Sequence, residues 1–169
     1  MTTAYFDQFP KTYYGFDNVT AYLVTNFMAR VQMSDQLKSN VMLYSPYTII
    51  DGETPEMVAD KVYGDPTLHW VILLTNEIID PRYDWCLSQE HLYSYCQQVY
   101  GSDPAQVYGT HHYVDPNTGL IVDSDFSGAV SVSNYDYEDQ LNEKKRVIKI
   151  LNPSLVNEFI KEFNAAMNA

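Results

Sequence analysis

The sequence predicts an α+β fold, and three observations carry that expectation. A short β-rich run, Tyr47 to Ile50, feeds two helices whose starts and stops are marked residue by residue. A second β-rich stretch follows Gly101, and an apolar stripe at helical spacing closes the chain. In domain terms this gives an N-terminal arm over 1–44, a strand–helix–helix module with an added helix over 45–100, and a β-hairpin, connector and C-terminal helix over 101–169.

Within the arm, Phe6 to Phe16 is rich in aromatic residues and carries Pro10 and Gly15, which suits an extended segment lying in a groove. Val19 to Met33 is compatible with strand or short helix, because periodicity does not separate the two. In the module, Asp51-Gly52 is a turn signal and Thr54-Pro55 an N-cap followed by proline at the first helical position, where the missing N–H costs nothing. Glu56 suits the first turn, Val58, Ala59 and Val62 share a face, and Gly64 is placed to end the helix in the left-handed conformation. Asp65-Pro66 repeats the start signal. The second helix carries Leu68, Trp70, Val71, Ile72, Leu73 and Leu74 almost all round, the pattern of a helix buried on most sides.

After Asn76 the chain runs through Asp84 to Ser88 into another helix, with Ser88 as N-cap, Leu92, Tyr95, Cys96 and Val99 on one face, and Gly101 as the stop. This exit leaves the closing strand of the module short or supplied from elsewhere. His111 to Val114 and Leu120 to Asp123 flank the turn-rich Asp115 to Gly119 and predict a hairpin, and Ala129 to Ser133 alternates as a strand. Ser124 to Ser133 is the expected connector. A charged stretch, Glu138 to Arg146, precedes the apolar run Val147 to Leu151. Asn152-Pro153 then starts a terminal helix with Val156, Phe159, Ile160, Phe163 and Met167 on one stripe, which needs a partner in its own domain or in a neighbouring subunit.

The order Tyr47-x-Ile-x-Asp-Gly-Glu-Thr54, Ala59, Tyr63-Gly64 and Asn76-x-Ile78 resembles a LysM module, a small βααβ domain best known for binding peptidoglycan and chitin. The longer set, Gly52 to Glu56, Tyr63 to Asp65, Leu68 to Asn76, Ile78 to Pro81 and Asp84-Trp85, resembles the LysM-like baseplate wedge subunit of T-even-type contractile-tailed phages. Phe9-Pro10, Tyr13-Tyr14, Thr110 to Tyr113 and Tyr137 to Arg146 extend that resemblance through nearly the whole chain. It implies a noncatalytic structural subunit of the tail baseplate, assembled in the host cytoplasm, whose partners are other wedge proteins and neighbouring wedges. It also implies a groove: in sugar-binding LysM modules the ligand lies between two loops that match Asp51, Gly52, Glu53 and Thr54 on one side and Asn76, Glu77, Ile78 and Ile79 on the other. The alternative function is therefore a peptidoglycan-binding module that targets a tail or cell-wall enzyme. Glycan binding is not the favoured expectation, because the exit through Trp85 departs from ordinary LysM domains. A small hydrolase is the weakest option.

Composition narrows these classes. With 10 basic against 22 acidic residues in 169, the formal charge is −12, and no nucleic-acid partner is expected, because phosphate contacts demand clustered Lys and Arg. No apolar run reaches the length of a bilayer span and no signal peptide is legible, so no membrane partner is expected. Cys86 and Cys96 read as small buried hydrophobes. Fifteen tyrosines suit a chain that works by contact, either as half-buried structural rings or at wet-edged interfaces.

The expected chemistry is sparse. No enzyme activity, cofactor or metal is predicted: adjacent His111 and His112 on a strand point to opposite faces, and Cys86, His91 and Cys96 lie across a helix start without convergent zinc-ligand spacing. Carboxylate pairs such as Asp51 with Glu53 or Asp80 with Asp84 read as solvated turn and cap residues, since glycoside hydrolysis needs two carboxylates held across a cleft. Surfaces are the functional candidates. Trp70 reads as core and Trp85 as an interface candidate. Lys144, Lys145, Arg146 and Lys149 form a basic cluster in an acidic chain, read either as a dock for an acidic neighbour or as a solvated charged face. With Val156, Phe159, Ile160, Phe163 and Met167 they give the expectation that the C-terminal segment binds a partner rather than completing the fold.

Overall fold

The computed structural model describes residues 5–15, 20–26 and 41–167. In chain order the elements are β1 (Lys11–Tyr14), β2 (Tyr22–Thr25), β3 (Tyr44–Thr48), α1 (Pro55–Tyr63), α2 (His69–Thr75), α3 (Pro81–Asp84), α4 (Gln89–Tyr100), α5 (Pro104–Val107), β4 (Thr110–Val114), β5 (Ile121–Val122), β6 (Val130–Ser133), α6 (Asn134–Glu143), β7 (Val147–Leu151) and α7 (Val156–Met167). The architecture is thus mixed α and β. Contacts divide the chain into two units that do not follow chain order: 1–47, 54–81 and 148–169 form the first, and 48–53 with 82–147 the second.

The first unit is built around α1 and α2. Thr54 caps α1 by accepting a hydrogen bond from Met57 N–H, Pro55 occupies its first turn, and Gly64 leaves it at φ +73°. One residue later, Asp65 accepts from Thr67 N–H at 2.9 Å and starts a 3₁₀ turn, Pro66–Leu68, that runs straight into α2. Val58 and Ala59 of α1 and Val71 and Ile72 of α2 are fully buried. β3 pairs with β7, so the strand that completes the β3–α1–α2 unit comes from far along the chain. On β7, Ile148 and Ile150 are buried while Val147 and Lys149 face outward, the alternation of a half-buried strand.

Phe9, Leu68, Trp70, Val71, Leu151, Val156, Ile160, Phe163 and Met167 make one apolar core in this unit. Trp70 is its hub: the rings of Phe163, Tyr5 and Phe159 lie 4.8, 5.5 and 6.1 Å from it, centroid to centroid. Two expectations are corrected here. The terminal stripe buries Val156, Ile160, Phe163 and Met167 against its own domain, with Phe159 half-buried beside Trp70, so this face is not left for a docking partner. The N-terminal stretch is not a single extended arm either. It forms a 3₁₀ turn, Tyr5–Gln8, that delivers Phe9 to the core, and β1 then pairs antiparallel with β2, from Lys11 opposite Thr25 to Tyr14 opposite Tyr22. Within the undecided stretch, Tyr22–Thr25 is strand; Phe16, Val19 and 27–33 lie outside the described residues.

The second unit holds a three-stranded antiparallel sheet in the order β5–β4–β6, with Val114 opposite both Ile121 and Val130. The hairpin turn is organised by Asp115, whose carboxylate accepts from Asn117 N–H at 3.0 Å and Thr118 Oγ1 at 2.8 Å; these bonds hold its pKa below the usual carboxylate value. Gly119 closes the turn at φ +71°. A separate small core joins α4, α5 and α6 through buried Leu92, Cys96 and Val107, surrounded by Tyr93, Tyr95, Tyr100 and Tyr135. Val99, expected on the same face, is 52% exposed.

α6 covers 134–137, which carry no expected element, and the first part of the charged stretch. Its start signal is nonetheless present: Ser133 accepts from Asp136 N–H at 3.0 Å and donates to the Asp136 carboxylate at 2.7 Å, a reciprocal cap at the spacing of a capping box. Asp103-Pro104 likewise starts α5 as Asp65-Pro66 starts the turn before α2.

Because Trp70 is packed by rings from both ends of the chain, Tyr5 on one side and Phe159 and Phe163 of α7 on the other, Trp70→Ala is expected to destabilise the first unit by about 3–5 kcal/mol through lost transfer energy and a residual cavity. Chemical denaturation followed by circular dichroism checks this, and an unchanged midpoint would place the ring outside the core.

Candidate functional site

Residues expected to line a sugar groove are engaged within their own units. In the first, Thr54 caps α1, and Asn76 Oδ1 accepts from Lys149 N–H while Asn76 Nδ2 donates to Lys149 O, both at 2.8 Å. The amide thus pairs with one residue of β7 as a neighbouring strand would, and its second N–H reaches Ile72 O at 2.9 Å. Glu77 takes the left-handed conformation at φ +57°, which bends the chain out of α2; Ile78 N–H donates back to Leu73 O, and Ile79 is 91% exposed. In the second unit, Asp51 accepts from Gln89 N–H at the start of α4, Gly52 sits at φ +79° in the turn, and Glu53 Oε2 accepts from Ile50 N–H at 2.9 Å.

Trp85, expected at an interface, is buried, and its indole N–H donates to Glu53 O at 2.8 Å. Beside it, Asn142 repeats the Asn76 arrangement: Oδ1 accepts from Leu87 N–H at 2.7 Å and Nδ2 donates to Leu87 O at 2.9 Å. No sequence pattern marks either asparagine as a clamp, because the partner is distant in both cases.

The basic cluster separates into different environments. Arg146 is tied to Glu143, whose pKa is held down by the guanidinium, and also donates to Ile49 O at 3.1 Å. Lys145 Nζ donates to Tyr83 O at 2.6 Å. Lys144 is exposed at the end of α6. Lys149 lies on the outward face of β7 in the first unit, with its backbone held by Asn76. Lys144 and Lys145, together with Arg82, line an open groove of about 750 Å³ along α4 and α6, with Leu87, Leu92, Tyr95 and Leu141 among its apolar walls.

His111 and His112 also depart from expectation. Their Nδ1 atoms lie 2.8 Å apart, and His111 stacks on Tyr137 at 4.0 Å between centroids. The pairing of β4 with β6 shifts register between Thr110 and His112, and this irregularity interrupts the strand alternation that would send the rings to opposite faces. Among the described residues, no three His, Cys, Asp or Glu side chains are grouped to hold a metal ion. Cys86 and Cys96 are buried free thiols, and burial pushes both pKa values up, which disfavours the reactive thiolate.

The exposed apolar side chains of the first unit include those of the β1–β2 pair, where Tyr13 is 76% exposed and Tyr22, Leu23 and Tyr14 more than half so. A two-stranded ribbon is marginally stable alone, and apolar side chains in this density are the mark of a contact surface. What these features describe is a chain organised for contact, with its polar groups closing its own fold.

Residues 2–124 match the family described as Base plate wedge protein 53. The chain is also 32% identical, over 137 residues covering 69% of each chain, to Baseplate wedge protein gp53 of Enterobacteria phage T4. It belongs to this baseplate wedge protein family.

Asn76→Ala removes both hydrogen bonds to Lys149 and is expected to cost about 0.5–1.5 kcal/mol for each, the lower end applying where water can reach the freed backbone groups. Urea unfolding checks this. Asn76→Asp, which sets a carboxylate oxygen against Ile72 O and Lys149 O at a helix C-terminus, should be at least as destabilising as alanine at neutral pH.

Proposed function

We infer that this protein is a noncatalytic structural subunit of a contractile phage tail baseplate, joining wedge proteins and adjacent wedges as the baseplate assembles in the host cytoplasm. The observation that carries this is family membership across most of the chain, supported by a similar relative that is itself a baseplate wedge protein. Exposed apolar rings on the β1–β2 hairpin and the cation-edged groove supply surfaces for such contacts. Binding between large polypeptides rests on shape and on a few buried anchors, and neither requires a catalytic group.

The β3–α1–α2 unit completed by β7 is, on this reading, a LysM-like module turned to an adaptor role. Its strand–helix–helix order and the caps at Thr54, Gly64 and Asp65 support the assignment. The glycan alternative has less support. Asn76 bonds to β7 and Thr54 caps a helix, so the polar groups that would read a sugar already have protein partners.

Mixing the chain with the other purified wedge proteins of its phage should give a stable complex in sedimentation, while insoluble peptidoglycan or chitin beads should retain no more of it than of a protein without a LysM module. Saturable retention on the glycan without wedge incorporation would overturn the adaptor reading.

A further inference from the structure

We propose that the groove along α4 and α6 seats an acidic polypeptide segment of another baseplate protein, one that presents bulky apolar side chains beside carboxylates; this rests on the baseplate reading above. The groove's lining is mainly apolar and carries three cations and one carboxylate, Glu138, which accepts from the Tyr100 hydroxyl at 2.8 Å. Leu92 and Leu141 lie among its walls, and the open volume of about 750 Å³ accepts a few large side chains rather than a folded domain. Arg82, Lys144 and Lys145 line it, three of only 10 basic residues in a chain with 22 acidic ones.

Charge selects the occupant. Lys145 is held in place by its bond to Tyr83 O, and the Lys144 side chain has no hydrogen bond or ion pair among the described residues, so a carboxylate arriving there meets a positive charge without displacing an internal partner. Elsewhere the chain repels anions: its formal charge is −12, which disfavours nucleic acid and also opposes the long-range approach of a second copy. A different chain carrying a local acidic and apolar segment satisfies both the apolar lining and the cations. The cations would then set the orientation and speed of docking, and the apolar anchors its lifetime.

The test uses the full-length chain and the other purified wedge proteins of its phage. Ser94→Trp plugs the groove from α4 at an exposed position whose hydroxyl bonds only within its own helix, and Lys144→Glu reverses one of the lining charges. Lys161→Glu, on the exposed side of α7, is the charge control. Both groove variants should bind the wedge proteins roughly tenfold more weakly or worse, with Lys161→Glu matching the native chain. Should Ser94→Trp lower the thermal midpoint, Gln98→Trp one turn along takes its place. Native binding by both groove variants, with the native chain incorporated, would overturn the groove assignment and leave the baseplate reading standing. Failure of the native chain itself to incorporate would overturn the baseplate reading and this proposal with it. Self-association of the native chain that Ser94→Trp abolishes would assign the groove to a second copy and refute the proposal.

Discussion

The first unit depends on the packing of α7 against Trp70. A strand and two short helices, β3, α1 and α2, cannot cover their own apolar surface, because α2 is apolar on nearly every side and α1 covers only part of it. Phe163 and Phe159 from the end of the chain and Tyr5 from its beginning close around the indole. Bringing residues so distant in sequence together carries a loop-closure entropy cost that only a substantial buried core can offset. Offset ring pairs at these separations add to the apolar burial and fix the angle at which α7 lies on the unit.

Two asparagines solve a related problem away from the strand ladders. β7 must be held to an element that leaves α2, and Leu87 must be held ahead of α4, where no regular ladder is available. In each case the side-chain amide offers one donor and one acceptor to a single residue's backbone. This satisfies the half-buried backbone groups of Leu87 and the exposed ones of Lys149 without a further strand. A consequence for function is that Asn76, a natural candidate for reading an N-acetyl sugar, is already committed to the fold.

Local signals in the sequence were highly informative. Thr54-Pro55, Asp65-Pro66, Ser88 and Asn152-Pro153 all start a helix or a 3₁₀ turn, because a cap is a hydrogen bond over two or three residues and needs nothing from the rest of the chain. The β4–β5 hairpin was legible for the same reason. Long-range consequences were not: the stripe of α7 announced that it needed a partner but not which one, and β7 carried no mark of pairing with β3. α6 was obscured by composition, since Tyr135, Asp136, Tyr137, Glu138 and Asp139 dilute the apolar periodicity. Among the candidate site residues, the basic cluster was visible, whereas the tie of Arg146 to Glu143 and Ile49 and the burial of Trp85 follow from tertiary contacts alone.

If α7 completes the first core rather than reserving its stripe for a partner, removing it must unfold that unit. The direct measurement is a comparison of the full chain with one ending at Leu151, using hydrogen exchange at the amides of α1 and α2. Loss of protection at Val58, Ala59, Val71 and Ile72 in the shortened chain is the predicted result. Native-like protection there, with only wedge binding lost, would contradict the account and return the stripe of Val156, Ile160, Phe163 and Met167 to the role of a docking face.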